Sequence, residues 1–599
     1  MLKKIVLPVV LLILSYGFWV SPDFKEIAAG VSIFLFGMLF LEDGFREFTG
    51  GVLEKILRRT TDKLWKSVSF GVLSTTFMQS SSLVSVITIS FLSAGLIGLS
   101  AGIGIIFGAN LGTTTGAWLI AGFGLKVKIS AYAMPMLVFG LILTFQKAKS
   151  LKGIGYILAG MGFLFLGIHY MKEGFESFKD TIDLAQFAVA GYPGLFLFAG
   201  IGVFATVVMQ SSHATLVIII TALAAGQITY ENALALAIGA NVGTTITAIL
   251  GSLGSNVDGR RLAGAHLIFN MVTGVVAIVF IYQIQEAVVW VSDAVGISAD
   301  DYTLKLAIFH TIFNLLGVII MLPFVNRLVI FLNKNFVNKE PGLIEPLYLN
   351  DAAIEFPDTA IETVRKETLH LFDQAFEVIA HGIGLHRHEL LSEKRLDEVV
   401  RQRGKPIHID IDDVYANKIK VIYSAIVEFI GRAQHNMPAE YAEQLFALRA
   451  SARDIVEAVK DVKHLRKNLI TYVHSDNAHI RGEYNKIQEK IGGVLQEIHA
   501  LSTTVEEVDL LSLDALRIEI EESDILTSGD LDRLIRERKI TAQMATSLIN
   551  DVNYSHNIVN NLITMGPNLF ITHDPVRYSV ERNMALDSED IEGLVSSKI

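Results

Sequence analysis

The sequence predicts an all-α, polytopic membrane protein with a soluble helical tail, and three observations carry that prediction. Up to about Leu332 the chain is a succession of apolar stretches, each near the ~20 residues that a helix needs to cross a bilayer. Two polar motifs recur inside this apolar part at one fixed offset. From Asn333 onward the chain is charged and follows the 3–4 spacing of amphipathic helices.

Composition narrows the function classes. Hydrophobic residues make up 51% of the 599 residues and charged ones 19%, with a mean hydropathy of +0.46. The net charge of −11 belongs mostly to the second part and offers no concentrated basic face for nucleic acid. The absence of cysteine excludes disulfides, thiolate metal sites and thiol catalysis. There is no P-loop, no HExxH and no hydroxyl with a paired base, so no enzyme is predicted.

Residues 1–26 begin "MLKKIVLPVVLLILSYGFWV", a basic start and an apolar centre without a small-x-small cleavage site. They read as a retained anchor. Residues 27–145 and 146–332 read as two copies of one unit. Gln79 and Gln210 are 131 positions apart, and so are Asn110 in "GANLGTTTG" and Asn241 in "GANVGTTIT". Gly112/Gly243, Thr113/Thr244 and Thr114/Thr245 keep that offset, and Gly44-Phe45 matches Gly174-Phe175 at 130. Two motifs held in register over a hundred residues indicate a duplication.

Charge orients the copies, because cytoplasmic loops carry excess Lys and Arg. Arg46, Lys55, Arg58, Arg59, Lys63 and Lys66 place the loop 46–66 inside. With "QSSS" as the tip of a hairpin that returns to its own side, 101–123 runs outward and 129–145 inward. Segment 153–171 then runs outward, a second hairpin occupies 194–228, and 231–251 runs inward to Arg260 and Arg261. Segment 263–283 leads out to the acidic "SDAVGISADD", and 304–332 delivers the tail to the cytoplasm. Gly44 is thus inside and Gly174 outside, so the copies are inverted. Inverted repeats with discontinuous segments near the midplane are the architecture of secondary transporters.

The run "MQSSS" at 78–82 sets an amide and three hydroxyls amid apolar residues, and "MQSS" returns at 209–212. Irregular backbone at membrane depth survives only when buried in protein or lining a watery cavity. Each motif therefore reads as the tip between two half-helices, with serine caps and a helix N-terminus suited to an anion. "GANxGTT" has the same character: glycines allow unwinding and threonines supply oxygens. The substrate candidates are Gln79, Ser80, Ser81, Gln210, Ser211, Ser212, Asn110 and Asn241. Hydroxyls and freed carbonyls can also coordinate Na⁺, with Ser82, Thr113, Thr114, Thr244 and Thr245 as candidates. One "QSSS" alone would read as polar glue between helices; two in register with a second motif favour a site.

Ser82 is matched by His213, which reads as a satisfied buried imidazole. "LAGAHLIFN" (262–270) and "LAIFHTIFN" (306–314) place His266/Asn270 and His310/Asn314 four residues apart on one helical face. Helix–helix hydrogen bonding is the expected role. The motif-bearing spans hold no acidic residue placed for a proton relay, which favours a metal-ion gradient over protons.

At these residues the sequence resembles the type II sodium-dependent phosphate cotransporter family, whose hallmark is a pair of inverted repeats each carrying a QSS motif. The resemblance spans about 27–332 and rests on Gln79-Ser80-Ser81, Gln210-Ser211-Ser212 and both "GANxGTT" motifs. It implies Na⁺-coupled movement of inorganic phosphate across the inner membrane, with phosphate and Na⁺ held between the hairpins. It leaves import, export and a homo-oligomeric state open. The rival readings are a transporter of another oxyanion and a membrane-anchored phosphate sensor without transport.

Pro341 and Pro346 mark 333–350 as a linker. In 351–599, Leu448, Ala452, Ile455, Val459, Val462, Leu469 and Val473 form one apolar stripe, and 537–563 holds another. An antiparallel helical bundle in the cytoplasm is expected. "HIDIDDVY" (408–415) reads as a helix start. The tail is similar to PhoU-like domains, which implies a regulatory role and an E-x-x-x-D motif for a divalent metal, fitted by Glu457 and Asp461. An acidic stripe is more often a solvated helix face.

Overall fold

Apolar runs broken by Gly, Pro and short polar turns fold as helices, and the chain divides into two units, Met1–Asn338 and Lys339–Ile599. The computed structural model describes all residues except 1–10, 13, 50–62, 126–128, 182–183, 254, 337–345, 393, 402–406, 408, 438, 504–510, 523–524, 527 and 571–599. The start of the anchor, most of the basic loop 46–66 and the linker prolyl residue Pro341 lie outside the described residues.

The first unit contains α1 (Pro22–Thr49), α2 (Leu64–Met78), α3 (Ser81–Ser93), α4 (Leu99–Gly112) and α5 (Thr114–Trp118), continued by a π-turn at Leu119–Gly124. Then follow α6 (Ile129–Thr144), α7 (Lys149–Thr181), α8 (Gly191–Met209), α9 (Ser212–Ala224), α10 (Tyr230–Gly243) and α11 (Thr245–Ser252). It ends with α12 (Val257–Val279), α13 (Ile281–Ala294), α14 (Tyr302–Met321) and α15 (Val325–Asn335). Among the described residues, 7 helical stretches are long and apolar enough to cross a membrane, including Leu99–Gly124 and Tyr230–Ser252, which run through the "GANxGTT" breaks. By contrast α3 and α9 have 13 residues each, about 20 Å at 1.5 Å per residue, well short of the ~30 Å hydrocarbon core.

Glycine sets how closely the helices approach. Gly30, Gly37 and Gly44 of α1 meet Gly167, Gly160 and Gly153 of α7. A methyl group on these three would lie 2.8, 2.7 and 2.9 Å from the facing carbonyl oxygens. The partner number falls as the α1 number rises, so these two helices, which correspond in the duplication, run antiparallel. Small residues allow such backbone contact within a bilayer. Within each copy, Gly71 and Gly108 press α2 onto α4, and Gly202 and Gly239 press α8 onto α10, at the same offset of 131.

One helix has no counterpart in the sequence reading. Helix α12 ends at Phe280, and α13 follows as a separate amphipathic helix burying Ile281, Ile284, Val288 and Ser292. Trp290 on its other side is exposed. The 3–4 stripe is present in the sequence, but it is short and follows a longer apolar run without a break.

In the second unit, α16 (Pro357–Gly382), α17 (Lys420–Ala433), α18 (Ala439–Val473), α19 (Ala478–Thr503), α20 (Leu511–Glu522) and α21 (Ala542–Phe570) surround one apolar core. The stripe from Leu448 to Val473 is buried there. Asn468 reaches Asp551 and Asn568 reaches Ser451, so α18 and α21 pair antiparallel. Asp410 caps the short helix Ile411–Val414 inside "HIDIDDVY". On α16, the buried Glu367 accepts from the Tyr348 backbone N–H at 2.7 Å, holding the entering chain to the bundle.

Candidate functional site

The two Gln-Ser-Ser motifs take one backbone conformation. Gln79 (φ 51) ends α2 and Gln210 (φ 53) ends α8, both left-handed. A side chain with a Cβ pays ~1–2 kcal/mol for that conformation, so each break is held by its surroundings. The next serine is extended and caps the following half-helix: Ser80 Oγ accepts from the Leu83 N–H, and Ser211 Oγ from the Ala214 N–H, both at 3.2 Å. The first-turn N–H groups of α3 and α9 thus begin beside the two breaks.

The "GANxGTT" motifs interrupt the facing helices at Thr113 and Thr244. Threonine hydroxyls take up the carbonyls freed there. Thr113 donates to the Asn110 carbonyl (2.6 Å), Thr114 to Leu111 (2.8 Å) and Thr115 to Gly112 (2.8 Å). In the second copy Thr244 donates to Ala240 (3.0 Å), Thr245 to Val242 (2.8 Å) and Thr247 to Thr244 (2.8 Å). The hydroxyl protons are committed to backbone, and the oxygen lone pairs stay available to a cation.

Each hairpin touches the turn of the other copy. Ser82 lies 3.3 Å from Thr247 Oγ1. Its counterpart His213 faces the Thr113 backbone. Gly116 makes the closest approach possible, because a methyl group there would overlap the His213 ring and lie 3.1 Å from Gln79 Oε1. Gln79 also donates to Thr115 Oγ1 at 3.1 Å. A group from the first hairpin and one from the second therefore meet across a single glycine.

Beside this junction is a cavity of about 10 Å³, the room one water-sized sphere takes. Thr113, Ser212, His213, Asn241 and His310 give it polar walls, and among the described residues no carboxylate, lysine or arginine lines it. Asn241 is fixed from both sides: it donates to Asn314 Oδ1 at 3.0 Å, and its carbonyl accepts from Asn270 at 3.0 Å. The helix–helix role expected of Asn270 and Asn314 is what they perform. His213 differs from expectation. It is buried, but among the described residues its Nε2 has no hydrogen-bond partner, nor has His310 Nδ1.

The symmetric cage expected from the sequence is uneven. Thr113, Ser212 and Asn241 line the cavity, while Gln79 lies next to it through Gly116. Ser81, Thr114 and Thr245 are buried nearby in their helices. Asn110 donates back to the Ile106 carbonyl of its own helix, and Gln210 is exposed, unlike Gln79. The sequence reading gave His213 and His310 no place in the site. The break in repeat symmetry at Ser82/His213 was the available signal.

In the second unit, Glu457 is bound by Lys460 at 2.8 Å. Burial, and then the nearby Glu457 charge, raise the Asp461 carboxyl above its ordinary value. Among the described residues no three His, Asp or Glu side chains gather as a metal site. Lys460 is the partner that Glu457 has.

Comparison with known proteins bears on the first unit above all. The profile of the Na⁺/Pi-cotransporter family matches residues 33–173 and 195–298. The putative inorganic phosphate export protein YjbB of Escherichia coli K12 is 25% identical over 427 residues, covering 70% of this chain and 73% of its own. Its counterpart in Salmonella typhimurium is 24% identical over 412 residues, covering 68% and 70%. The uncharacterized protein YqeW of Bacillus subtilis is 26% identical over 299 residues, covering 49% of this chain and 92% of its own. No solved structure matches the chain. The matched segments hold both Gln-Ser-Ser breaks and both interrupted "GANxGTT" helices, and through them the chain is similar to the Na⁺/Pi-cotransporter family.

Proposed function

We propose that the protein is a secondary transporter that carries inorganic phosphate across the cell membrane together with Na⁺, its second unit acting as a regulatory domain in the cytoplasm. The observation that carries this reading is the junction at Gly116, where the breaks of two duplicated hairpins bring Gln79 and His213 together. Helix N-termini and neutral donors suit a tetrahedral anion, and threonine oxygens with freed carbonyls suit Na⁺. The antiparallel course of the corresponding helices α1 and α7 supports two inverted halves, the arrangement that lets a central site open to either side in turn. The match to the Na⁺/Pi-cotransporter profile supports phosphate as the substrate.

Likeness to YjbB, a putative inorganic phosphate export protein, favours outward movement of phosphate. Radiolabelled phosphate flux in proteoliposomes tests both points. An imposed Na⁺ gradient should drive the flux and its replacement by K⁺ should abolish it; flux unaffected by that replacement rejects Na⁺ coupling. Competition by sulfate as strong as by arsenate would reject phosphate selectivity.

A further inference from the structure

We infer that His213 and His310 form an imidazole pair that binds the transported anion directly and carries a proton with it, and this inference rests on the transport reading above. Both rings are more than nine-tenths buried, on α9 and α14, and both line the central cavity. Among the described residues, His213 Nε2, which packs against Gly116, and His310 Nδ1 have no hydrogen-bond partner. A buried imidazole nitrogen left unpaired loses its hydrogen bonds to water without replacement, so the two nitrogens are better accounted for by a ligand than by the fold. The duplication makes the same point. The first copy places Ser82 at this position, bonded to Thr247, so packing across the copies needs only a hydroxyl.

The chemistry follows from what surrounds the rings. Among the described residues, none that lines the cavity carries a fixed positive charge. Helices α4 and α5 and the π-turn, which pack near these rings, contain no charged residue. Glu231 on α10, Asp258, Arg260 and Arg261 on α12, Glu286 and Asp293 on α13, and Lys305 on α14 do not line the cavity. Neither do the charged groups of α1 and α7, such as Glu42, His169 and Glu173, nor the titratable Tyr192 of α8 and His266 of α12. Among the described residues, an imidazolium is then the cation that the walls can offer an oxyanion. A protonated His213 donates one N–H to the Thr113 backbone and the other to a phosphate oxygen, the neutral His310 donates its single N–H to another, and the proton enters and leaves with the anion.

The test is calorimetric titration of the detergent-purified full chain with inorganic phosphate, near neutral pH, in two buffers of different ionisation enthalpy. The buffer dependence gives the protons taken up per phosphate bound. Phosphate's own titration is common to all variants, so a difference between them belongs to the imidazoles. Wild type should take up more protons than His213→Ser, His213→Gln or His310→Gln. Each substitution should weaken binding about tenfold, the loss of one charge-assisted hydrogen bond. The two His213 variants guard against a folding defect in either one. Equal proton uptake and affinity in wild type and in whichever variants fold would overturn the inference. Wild type that binds phosphate with the expected uptake but moves none in proteoliposomes would overturn the transport reading and leave the imidazole pair standing.

Discussion

Gly37 and Gly160 meet backbone to backbone: a methyl group on Gly37 would lie 2.7 Å from the Gly160 carbonyl oxygen, and one on Gly160 would lie 2.8 Å from that of Gly37. These residues join the corresponding helices of the two copies, so the contact holds the halves of the first unit together. Neither glycine has a positive φ; the requirement is for space alone. Gly37→Leu should lower stability by about 1–3 kcal/mol through overpacking. Thermal unfolding of the purified protein in detergent reads this, and an unchanged melting temperature would refute the close contact.

The two glutamines should not be equivalent. Gln79 is half-buried and donates to Thr115 beside His213, whereas Gln210 is exposed. Gln79→Ala should raise the KM for phosphate flux about tenfold, as expected for a hydrogen bond to a charged ligand. Gln210→Ala should change it less. Equal losses from the two would mean that the anion is held symmetrically.

The Asn241–Asn314 bond joins α10 to α14 in a buried region. Asn314→Leu removes the acceptor and leaves the Asn241 amide unsatisfied, at a cost of about 1–3 kcal/mol. Because Asn241 lines the cavity, phosphate affinity should fall along with the melting temperature. A variant that melts lower but binds phosphate normally would assign Asn241 to packing alone.

In the second unit, burial raises the Asp551 carboxyl above its ordinary value, while Tyr484 and Asn468 donate to it at 2.5 and 3.4 Å. A raised folded pKa means that the folded state holds this proton more tightly than the unfolded state does. The contribution to stability is present below the ordinary carboxylate range and is lost as pH rises through the folded value. Asp551→Asn keeps an acceptor for Tyr484 without the charge. The variant should therefore melt higher than wild type at neutral pH, with the difference closing below about pH 4. A lower melting temperature at neutral pH would show instead that the ionised carboxylate is stabilising.

Chelation should leave unfolding of the second unit unchanged, since Glu457 is paired with Lys460 and the described residues hold no third ligand beside Asp461. Amide exchange along α18, compared with and without EDTA, checks this. Faster exchange around Glu457 in EDTA would support a divalent metal at Glu457 and Asp461.

Much of the first unit is written in the order of its residues. Apolar length gives the spanning helices, and the offset of 131 gives the paired breaks at Gln79 and Gln210 and the interrupted helices at Thr113 and Thr244. These follow from local chemistry: too few apolar residues to span, a serine to cap, a threonine to satisfy a freed carbonyl. What only tertiary structure decided is which groups meet. Gly116 admits the His213 ring because it lacks a side chain, Gln210 lies exposed while Gln79 lies inside, and Asn110 turns to its own helix while Asn241 is shared with α12 and α14. Repeat symmetry gives the breaks equal backbones in the two copies, but corresponding side chains meet different neighbours: Asn110 finds Ile106 of its own helix, whereas Asn241 finds Asn270 and Asn314.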